Sequence, residues 1–325
     1  MKLVLLKSTD PTVNLAAEEY LFFHSEEPTL LLWQNNNAVI IGKNQNTLSE
    51  INMDRIRKNG VSVVRRITGG GAVYHDMGNV NYSVIQKSRE NGSLDFQFFT
   101  EPILKALEGL GLEATFSGRN DILIDGKKIS GNAQYSFNGK TLHHGTLLFD
   151  SNLEMLEQLL TVDPEKIKTK AISSVRARVT NIKEHLSDKN MTVDGFISYL
   201  KAYFTENGFT ESRITEDEQK EIEKLTVEKY RTWEWNYGYS PKYSFRKKIR
   251  TAAGSIEIFL DIDSGTIKKA VIFGDFFALN PIYLLEELLV GIKHEQEEIA
   301  AFFEKNNISQ KFINISKEEF IELFR

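Results

Sequence analysis

The sequence contains no cysteine. That absence excludes disulfide frameworks, thiolate zinc sites, thiol redox motifs and any mechanism that uses a cysteine nucleophile. The sequence also has no apolar run as long as the roughly 18 residues of a membrane span. The first apolar run, within residues 1–7, is too short for a signal peptide, so the cytoplasm is the expected location.

The chain also lacks a strong charge of either sign. Its 40 Lys and Arg residues nearly balance its 45 Asp and Glu residues, and the net charge of −5 is unlike the basic balance of a nucleic-acid binder. Neither a nucleic acid nor a membrane is therefore expected as a partner. Hydrophobic residues make up 41% of the chain, which is ordinary for a globular protein. At about 150 residues per domain, the 325 residues predict two domains.

Most of the first half of the chain has the pattern of β-strands. Short apolar runs bounded by polar residues recur between residues 29 and 150. Val80, Tyr82 and Val84 alternate with polar residues, which is the period of a half-buried strand.

Helices are predicted at fewer places. The spacing of apolar residues favours a helix over 14–20, with Asn14 as its cap, and another over 99–110. Residues 151–207 are predicted to be mainly helical, with a break at Pro164 and another near Thr180 and Asn181.

Three features organise the rest of the chain. The dense charges of residues 206–230 predict a solvated helix or connector. The aromatic segment 233–241 is expected to pack where two domains meet. Two strands with alternating apolar residues follow, joined by a turn at 263–265. Two or three helices are predicted at the end of the chain, and Ser316 and Glu319 have the spacing of a capping box for the last one.

These patterns together predict an α/β protein with mixed β-sheets, of the α+β kind. A large mixed domain of residues 1–245 is expected to be followed by a small α+β domain of residues 246–325.

Three consecutive glycines, Gly69 to Gly71, provide the first chemical signal. They follow an apolar strand and the pair Arg65 and Arg66. Glycine lets backbone N–H groups approach a ligand closely, a nest of such groups suits phosphate oxygens, and arginine forms forked hydrogen bonds to phosphate or carboxylate. The spacing matches neither a Walker P-loop nor a dinucleotide fingerprint. A phosphate-binding loop and a flexible hairpin loop flanked by surface arginines both remain open.

Two tight turns are predicted farther along the chain. The Asp-Gly pair at 125–126 and the Asn-Gly pair at 138–139 imply three consecutive antiparallel strands. In the register set by the first turn, Asp121 faces Ser130, and Lys128 lies on the same side of the sheet. The carboxylate and the ammonium group can then share a ligand or form a simple surface ion pair.

His143 and His144 are adjacent in the third of these strands. Successive strand residues point to opposite faces, so the two imidazoles do not form a metal pair. One of them is expected in the core or at a site.

The chain resembles the lipoate–protein ligases, and the resemblance covers essentially all of it, including the 233–241 segment and the small C-terminal domain. Five segments match the family in order and spacing: Arg65–Asn79, Gly118–Asp121, Lys128–Gly131, His144–Leu147 and Ser174–Asn181.

The resemblance implies the fold shared by biotin and lipoate ligases, a mixed β-sheet flanked by helices. It also implies that Mg-ATP activates the carboxylate of lipoate to lipoyl-AMP, with release of pyrophosphate. The lipoyl group would then pass to one lysine of an acceptor domain, in E2 subunits of 2-oxoacid dehydrogenases or in the glycine-cleavage H protein. By the same resemblance, Lys128 is the catalytic residue and Asp121 a ligand of Mg²⁺. The residues expected to bind the nucleotide are Arg66, Thr68, Gly70, Gly71, Ala72, Val73, Tyr74, Asn120, Asp121 and Lys128.

Three other functions are considered. An octanoyl or lipoyl transferase acting between carrier proteins has the same fold, but it uses a cysteine thioester and generally lacks the small domain. A biotin ligase would show its own Gly-Arg-Gly-Arg-type loop, which is absent. A non-catalytic lipoate-binding paralogue would keep most of the matched motifs and therefore remains open.

Overall fold

The computed structural model describes residues 1–88, 95–117, 119–160, 178–238, 244–263 and 265–325. The strands are β1 Lys2–Leu5, β2 Thr29–Trp33, β3 Ala38–Ile41, β4 Ser62–Arg65, β5 Val73–His75, β6 Asn79–Lys87, β7 Thr115–Ser117, β8 Asp121–Ile124, β9 Lys127–Phe137, β10 Lys140–Leu148, β11 Thr210–Ser212, β12 Phe245–Thr251, β13 Gly254–Asp263 and β14 Thr266–Gly274. The α-helices are α1 Pro11–His24, α2 Thr47–Glu50, α3 Met53–Lys58, α4 Phe96–Glu108, α5 Leu153–Leu159, α6 Val193–Glu206, α7 Glu216–Leu225, α8 Trp233–Asn236, α9 Ile282–Leu289, α10 Gln296–Asn306, α11 Ile308–Lys311 and α12 Lys317–Glu322.

An eight-stranded mixed sheet forms the centre of the large domain. Its strand order is β11-β1-β2-β6-β10-β9-β8-β7, with β1 parallel to both neighbours and every later pair antiparallel. A second sheet, β4-β3-β5, lies beside it and supports the glycine segment. The predicted mixed α/β class is confirmed.

The central strand β6 is buried on both of its faces. Val80, Tyr82 and Val84 pack in the main hydrophobic cluster, as expected. The prediction of a half-buried strand is nevertheless wrong, because the opposite residues Asn81 and Ser83 are buried as well. That polar face meets α1 instead of solvent, and its polar groups take part in the site described below.

The first helix begins earlier than predicted. Its cap is Asp10, whose carboxylate accepts from the backbone N–H of Thr12 at 2.8 Å, and Pro11 occupies the first position, where no backbone donor is needed. Asn14 is therefore not a cap. It lies inside the helix, fully buried, and its side-chain amide donates to the carbonyl oxygens of Ser8 and Gln34.

Both predicted tight turns are confirmed. Asp125 and Gly126 have φ of 50° and 72°, and Asn138 and Gly139 have φ of 48° and 72°. Two consecutive left-handed residues match the twist of a hairpin, and the asparagine and aspartate side chains tolerate that conformation. Strands β8, β9 and β10 are consecutive and antiparallel, as predicted.

The helical predictions are confirmed in part. Helix α4 begins at Phe96 with Asp95 as its cap, three residues before the predicted start, and it ends at Glu108, close to the predicted end. Helices α5 and α6 and a short 3-10 turn follow, whereas Pro164 lies outside the described residues. The charged segment also adds the unpredicted strand β11 beside β1, and α7 packs on α1.

The small domain has its own hydrophobic core between the β12-β13-β14 sheet and the C-terminal helices. Ser316 and Glu319 form the predicted capping box. Two or three helices were expected after the sheet, and the described part of this domain has four. Two of these four are short, with four and six residues. The domain boundary near residue 245 stays a prediction. No helix in the described parts of the chain could cross a bilayer, given their lengths and polarity.

The aromatic segment packs on the large domain in its described part, residues 233–238. The indole N–H of Trp235 donates to the Arg65 carbonyl oxygen at 2.8 Å, and the Arg65 backbone N–H donates to Asn236 Oδ1 at 2.8 Å. The expectation that this segment packs between the domains is therefore not met by these residues.

Candidate functional site

The glycine segment forms a tight loop between β4 and β5. Gly70 has φ of +89°, a conformation that side chains other than glycine rarely adopt. A Cβ atom at Gly70 would also lie 3.0 Å from Arg66 Nη2 and 3.2 Å from the Phe277 ring. Backbone geometry and close packing thus both require glycine at this position.

Arg66 holds the glycine loop from inside. Its side chain is buried, Nη2 donates to the carbonyl oxygens of Gly69 and Gly71 at 2.6 and 2.8 Å, Nη1 donates to Ile40 at 3.2 Å, and Nε donates to Thr68 Oγ1 at 2.9 Å. Because a guanidinium group has five N–H bonds, one on Nη1 is left for a ligand among the described contacts. Burial lowers the pKa of Arg66 to about 10, so the group is charged at neutral pH.

A buried chain of hydrogen bonds connects the glycine loop to α1. A carboxylate only accepts, so Glu18 Oε1 accepts from the Nδ1–H of His144 at 2.8 Å. In the tautomer whose ring proton is on Nδ1, His144 Nε2 accepts from the Thr68 hydroxyl at 2.8 Å, and Thr68 Oγ1 accepts from Arg66 Nε. Glu18 Oε1 also accepts from Ser83 at 2.6 Å. These hydrogen bonds fix the orientation of the Thr68 hydroxyl and provide the partners of the buried Glu18 carboxylate.

Lys128 and Asp121 meet across the β8–β9 hairpin. Lys128 Nζ lies 2.7 Å from Asp121 Oδ1, and about a third of each side chain is exposed. The prediction that the two share a face is therefore confirmed. The Lys128 side chain also lies over Gly131, where an added Cβ would come within 2.8 Å of Nζ.

The predicted partner of Asp121 is wrong. Leu123 pairs with Lys128 as expected, but Ile122 pairs with Ser130, and Asp121 pairs with Gly131. A β-bulge inserts one extra residue into β9 at this point, which moves Ser130 to the opposite, fully buried face. Gly131 thereby takes the position beside Asp121 that was assigned to Ser130.

Asn120 and Tyr74 use their side chains for structure. The Asn120 amide donates to the Asn132 carbonyl oxygen at 2.6 Å, and the Tyr74 hydroxyl donates to Asn37 Oδ1 at 3.1 Å. Val73 and Tyr74 belong to β5, which pairs with β3. Any contact of Tyr74 with a nucleotide would therefore involve its backbone.

His143 and His144 point to opposite faces, as predicted. His143 stacks on Phe99 in the core, and burial holds its pKa well below the ordinary range. His144 joins the hydrogen-bond chain to Glu18 and lines the cleft described next.

A cleft of about 130 Å³ lies between the glycine loop and the eight-stranded sheet. The predicted site residues that line it are Arg66, Gly70, Gly71, Ala72, Val73, Asn120 and Lys128. Thr68, Tyr74 and Asp121 do not line it. Thr68 is hydrogen-bonded to His144, Tyr74 lies in β5 and pairs with β3, and Asp121 forms the ion pair with Lys128. The cleft therefore brings most of the predicted site together, whereas the role of each residue stays a prediction.

Sequence reasoning missed several residues of this cleft. Trp33, His75, Asn81 and Thr146 line it beside the predicted residues. The alternation of Asn79, Asn81 and Ser83 with apolar residues along β6 is the signal in the sequence, but by itself it predicts only a half-buried strand.

The small domain covers one side of the glycine loop. The carbonyl oxygen of Phe276 accepts from the Gly70 N–H at 3.3 Å, and the Phe277 ring lies 5.0 Å from that of Phe96. The Arg119 guanidinium donates to the Ala253 carbonyl oxygen and lies 5.0 Å from the centre of the Phe277 ring. These contacts connect the two domains at the predicted phosphate-binding loop.

Two protein-family models match the chain in succession. The model described as the lipoyl protein ligase A/B catalytic domain matches residues 10–205. The model described as the bacterial lipoate protein ligase C-terminus matches residues 240–324.

Curated relatives match over nearly the full length. The lipoate-protein ligase LplJ of Bacillus subtilis is 45% identical, over 97% of this chain and 96% of the relative. Lipoate–protein ligase 1 of Staphylococcus aureus is 44% identical, over 97% of each chain.

Solved structures match the fold as well. The LipL1 protein of P. falciparum, solved in complex with lipoate, has a TM-score of 0.81 at 30% identity and covers 99% of this chain and 97% of its own. A bipartite lipoate protein ligase from Thermoplasma acidophilum, studied with its E2 lipoyl domain, has a TM-score of 0.65 at 33% identity and covers 75% and 98%. A lipoate-protein ligase A bound with ATP has a TM-score of 0.61 at 30% identity and covers 73% and 98%.

Proposed function

The chain belongs to the lipoyl protein ligase family, and on that premise we propose that it is an ATP-dependent lipoate–protein ligase. It converts lipoate to lipoyl-AMP and transfers the lipoyl group to one lysine of an acceptor protein. The observation that supports this most directly is the position of Lys128, whose ammonium group lies at the cleft beside Asp121 and across from the glycine loop.

The reaction needs activation because a carboxylate is a poor acyl donor. A carboxylate oxygen of lipoate attacks the α-phosphorus of ATP, and pyrophosphate leaves. The acceptor amine then attacks the acyl carbon of lipoyl-AMP, and AMP leaves. No covalent enzyme intermediate is required, which agrees with a chain that contains no cysteine.

The residues of the cleft would provide orientation and charge stabilisation for both steps. Lys128 would approach the carboxylate of lipoate and the α-phosphate, since both are anionic and both remain in the adenylate. The loop Gly70–Val73 would offer backbone N–H groups, and the remaining N–H of Arg66 would add a charged donor. Their preorganisation matters, because fixed donors need no rearrangement in the transition state.

Mg²⁺ would be held chiefly by the phosphates of ATP. Among the described residues, no group of three or more His, Asp or Glu side chains could hold a metal ion. Mg²⁺ commonly binds through one or two carboxylates together with phosphate oxygens and water. The half-buried Asp121 carboxylate fits that limited role, and the ion would neutralise phosphate charge there.

Acceptor proteins are the proposed partners. The ligase from Thermoplasma acidophilum was studied with an E2 lipoyl domain, which supports E2 subunits of 2-oxoacid dehydrogenases as acceptors. The glycine-cleavage H protein is proposed as a second acceptor.

Exchange of labelled pyrophosphate into ATP tests the first step. The proposal predicts exchange that depends on lipoate and Mg²⁺ and needs no acceptor protein. A protein that binds lipoate but catalyses no exchange would be the non-catalytic paralogue, and the proposal would be rejected.

A further inference from the structure

The strand that carries Lys128 is held from its outer side by residues 178–180. Strand β10 pairs with β9 from Asn132 onward, which lies beyond Lys128. At Lys128 itself, the backbone N–H of Thr180 donates to the carbonyl oxygen at 3.0 Å, and Val179 forms a parallel bridge. Lys128 therefore lies between β8 on one side and this short segment on the other.

A side-chain bridge through His185 holds the same hairpin at a second point. Thr180 is 2% exposed, and its hydroxyl oxygen lies 3.1 Å from Glu184 Oε2 and 3.1 Å from His185 Nε2. The other ring nitrogen, Nδ1, lies 3.2 Å from Asp125 Oδ2. Asp125 is the first residue of the tight turn that leads into β9. His185 thus connects the segment beside Lys128 with the turn before it.

The bridge persists in either charge state of the His185 ring. The Asp125 carboxylate only accepts, so Nδ1 of His185 carries a proton and donates to it. In the neutral ring, Nε2 accepts from the Thr180 hydroxyl. In the doubly protonated ring, Nε2 donates to Thr180, whose own proton then goes to Glu184. Both ends of the bridge are hydrogen-bonded in both cases.

The bridge is suited to fix a position more than to add stability. The Asp125 side chain is 80% exposed, and an exposed ion pair contributes little to the free energy of unfolding. We propose that His185 is a positioning residue, which holds the β8–β9 hairpin so that the Lys128 ammonium group stays over Gly131 at the cleft. The inference rests on the proposed function and adds a residue that does not itself line the cleft.

Three substitutions of His185 separate its two hydrogen bonds. His185→Leu removes both, His185→Asn keeps a donor near the place of Nδ1, and His185→Gln keeps a polar group near the place of Nε2. Lipoate-dependent pyrophosphate exchange gives kcat and KM, and thermal unfolding gives stability. His185→Leu should lower kcat about tenfold, because small displacements of a catalytic group slow reactions strongly. The KM values and the melting temperature should change little, and the two polar variants should lose less activity.

His24→Leu is the control for the loss of a histidine. His24 is exposed and forms its hydrogen bond with the Tyr20 carbonyl oxygen of its own helix. It should keep the wild-type kcat.

Asp125 tests the other end of the bridge with a matched control. Asp125 and Asn138 begin two equivalent turns, with φ of 50° and 48°, and glycine suits both positions. Asp125→Gly should lower kcat as His185→Leu does, and Asn138→Gly should not. Asp125→Asn keeps an acceptor oxygen and the turn, so it should recover most of the wild-type kcat. Because Asp125 is exposed, these variants keep the test valid if His185→Leu fails to fold.

Combination with Lys128→Ala decides whether His185 acts through Lys128. In that variant there is no ammonium group left to position, so adding His185→Leu should cause no further loss of activity. The same fold loss in both backgrounds, or a wild-type kcat for His185→Leu and Asp125→Gly, would overturn the inference and leave a simple surface ion pair. A wild-type enzyme that exchanges no pyrophosphate would refute the proposed function instead, which is a separate result.

Discussion

At the scale of single residues, the proposed chemistry depends most on the position of Lys128. Lys128→Ala is expected to lower turnover by about 10²–10³-fold, since one preorganised donor to developing charge is lost. Its ion pair with Asp121 is partly exposed, so the variant should fold normally. Kinetics of adenylation and of transfer, measured separately, check the prediction, and both rates should fall.

The matched control is Lys127→Ala. Lys127 is exposed at the end of the same hairpin and does not line the cleft. It should keep close to wild-type activity. Equal losses in the two variants would contradict the catalytic assignment of Lys128.

Gly131 provides a test of position without loss of charge. An added Cβ would lie 2.8 Å from Lys128 Nζ and 3.0 Å from Cε, so Gly131→Ala must displace the ammonium group. The strand does not need φ > 0 at this residue, and alanine restricts the unfolded chain more than glycine does. We therefore expect unchanged or slightly higher thermal stability together with a clear loss of activity.

Gly195→Ala is the control for the same substitution in a helix that does not line the cleft. It should keep full activity. An active Gly131→Ala enzyme would show that the position of Lys128 is not critical.

Sequence reasoning located Lys128 correctly and Ser130 incorrectly, for one physical reason. Turn chemistry at Asp125 and Gly126 sets the register only as far as the first irregularity. The bulge between Lys128 and Ser130 has no glycine or other local signal, and it became visible only in the strand pairing. The bulge also places Gly131, and not Ser130, beside Asp121.

At the scale of structural elements, the glycine loop depends on Arg66 for its shape. Arg66→Ala removes four hydrogen bonds to the loop and its surroundings. The unfolding free energy should fall by about 1–3 kcal/mol or more, because buried carbonyl oxygens are left unsatisfied. Denaturant unfolding checks the stability, and the KM for ATP should rise in the fraction that folds.

Arg66→Lys separates the effect of the side chain's charge on stability from the effect of its shape. A lysine restores the charge but cannot reproduce the planar fork that reaches Gly69 and Gly71 together. It should recover only a small part of the lost stability. Wild-type stability in both variants would refute the structural role of the fork.

The polar face of β6 shows why an element can be predicted while its surroundings are not. Alternation identified the strand correctly. It could not show that Asn81 lines a cleft or that Ser83 hydrogen-bonds to α1, because a local pattern contains no information about which elements cover that face. The uncharged polar residues Asn79, Asn81 and Ser83 are the remaining clue in the sequence.

At the scale of the whole molecule, the small domain contacts the loop proposed to bind the nucleotide. The Gly70 N–H donates to Phe276, and the Gly274 N–H donates to the Asn44 carbonyl oxygen at 2.7 Å. The cleft of about 130 Å³ is also below the roughly 300–1,000 Å³ of most ligand sites. We therefore predict that the two domains reorient when lipoyl-AMP forms, which frees the Gly70 N–H and enlarges the cleft.

Small-angle scattering of the free and adenylate-bound enzyme checks this prediction. A changed profile is expected with a non-hydrolysable lipoyl-AMP analogue. Identical profiles would count against reorientation. The contacts of residues 274–277 could not be predicted from sequence, since they join segments about 200 residues apart without any local pattern.

The central claim is that this chain attaches lipoate to a protein lysine at the expense of ATP. Intact-mass analysis of an E2 lipoyl domain, after incubation with the enzyme, lipoate and Mg-ATP, tests it most directly. The account predicts the mass gain of one lipoyl group on one lysine, absent without ATP and absent when the acceptor lysine is replaced. A mass gain that needs no ATP and takes its acyl group from an acylated carrier protein would identify a transferase and contradict the account. An acceptor that stays unmodified while control enzymes are active would contradict it as well.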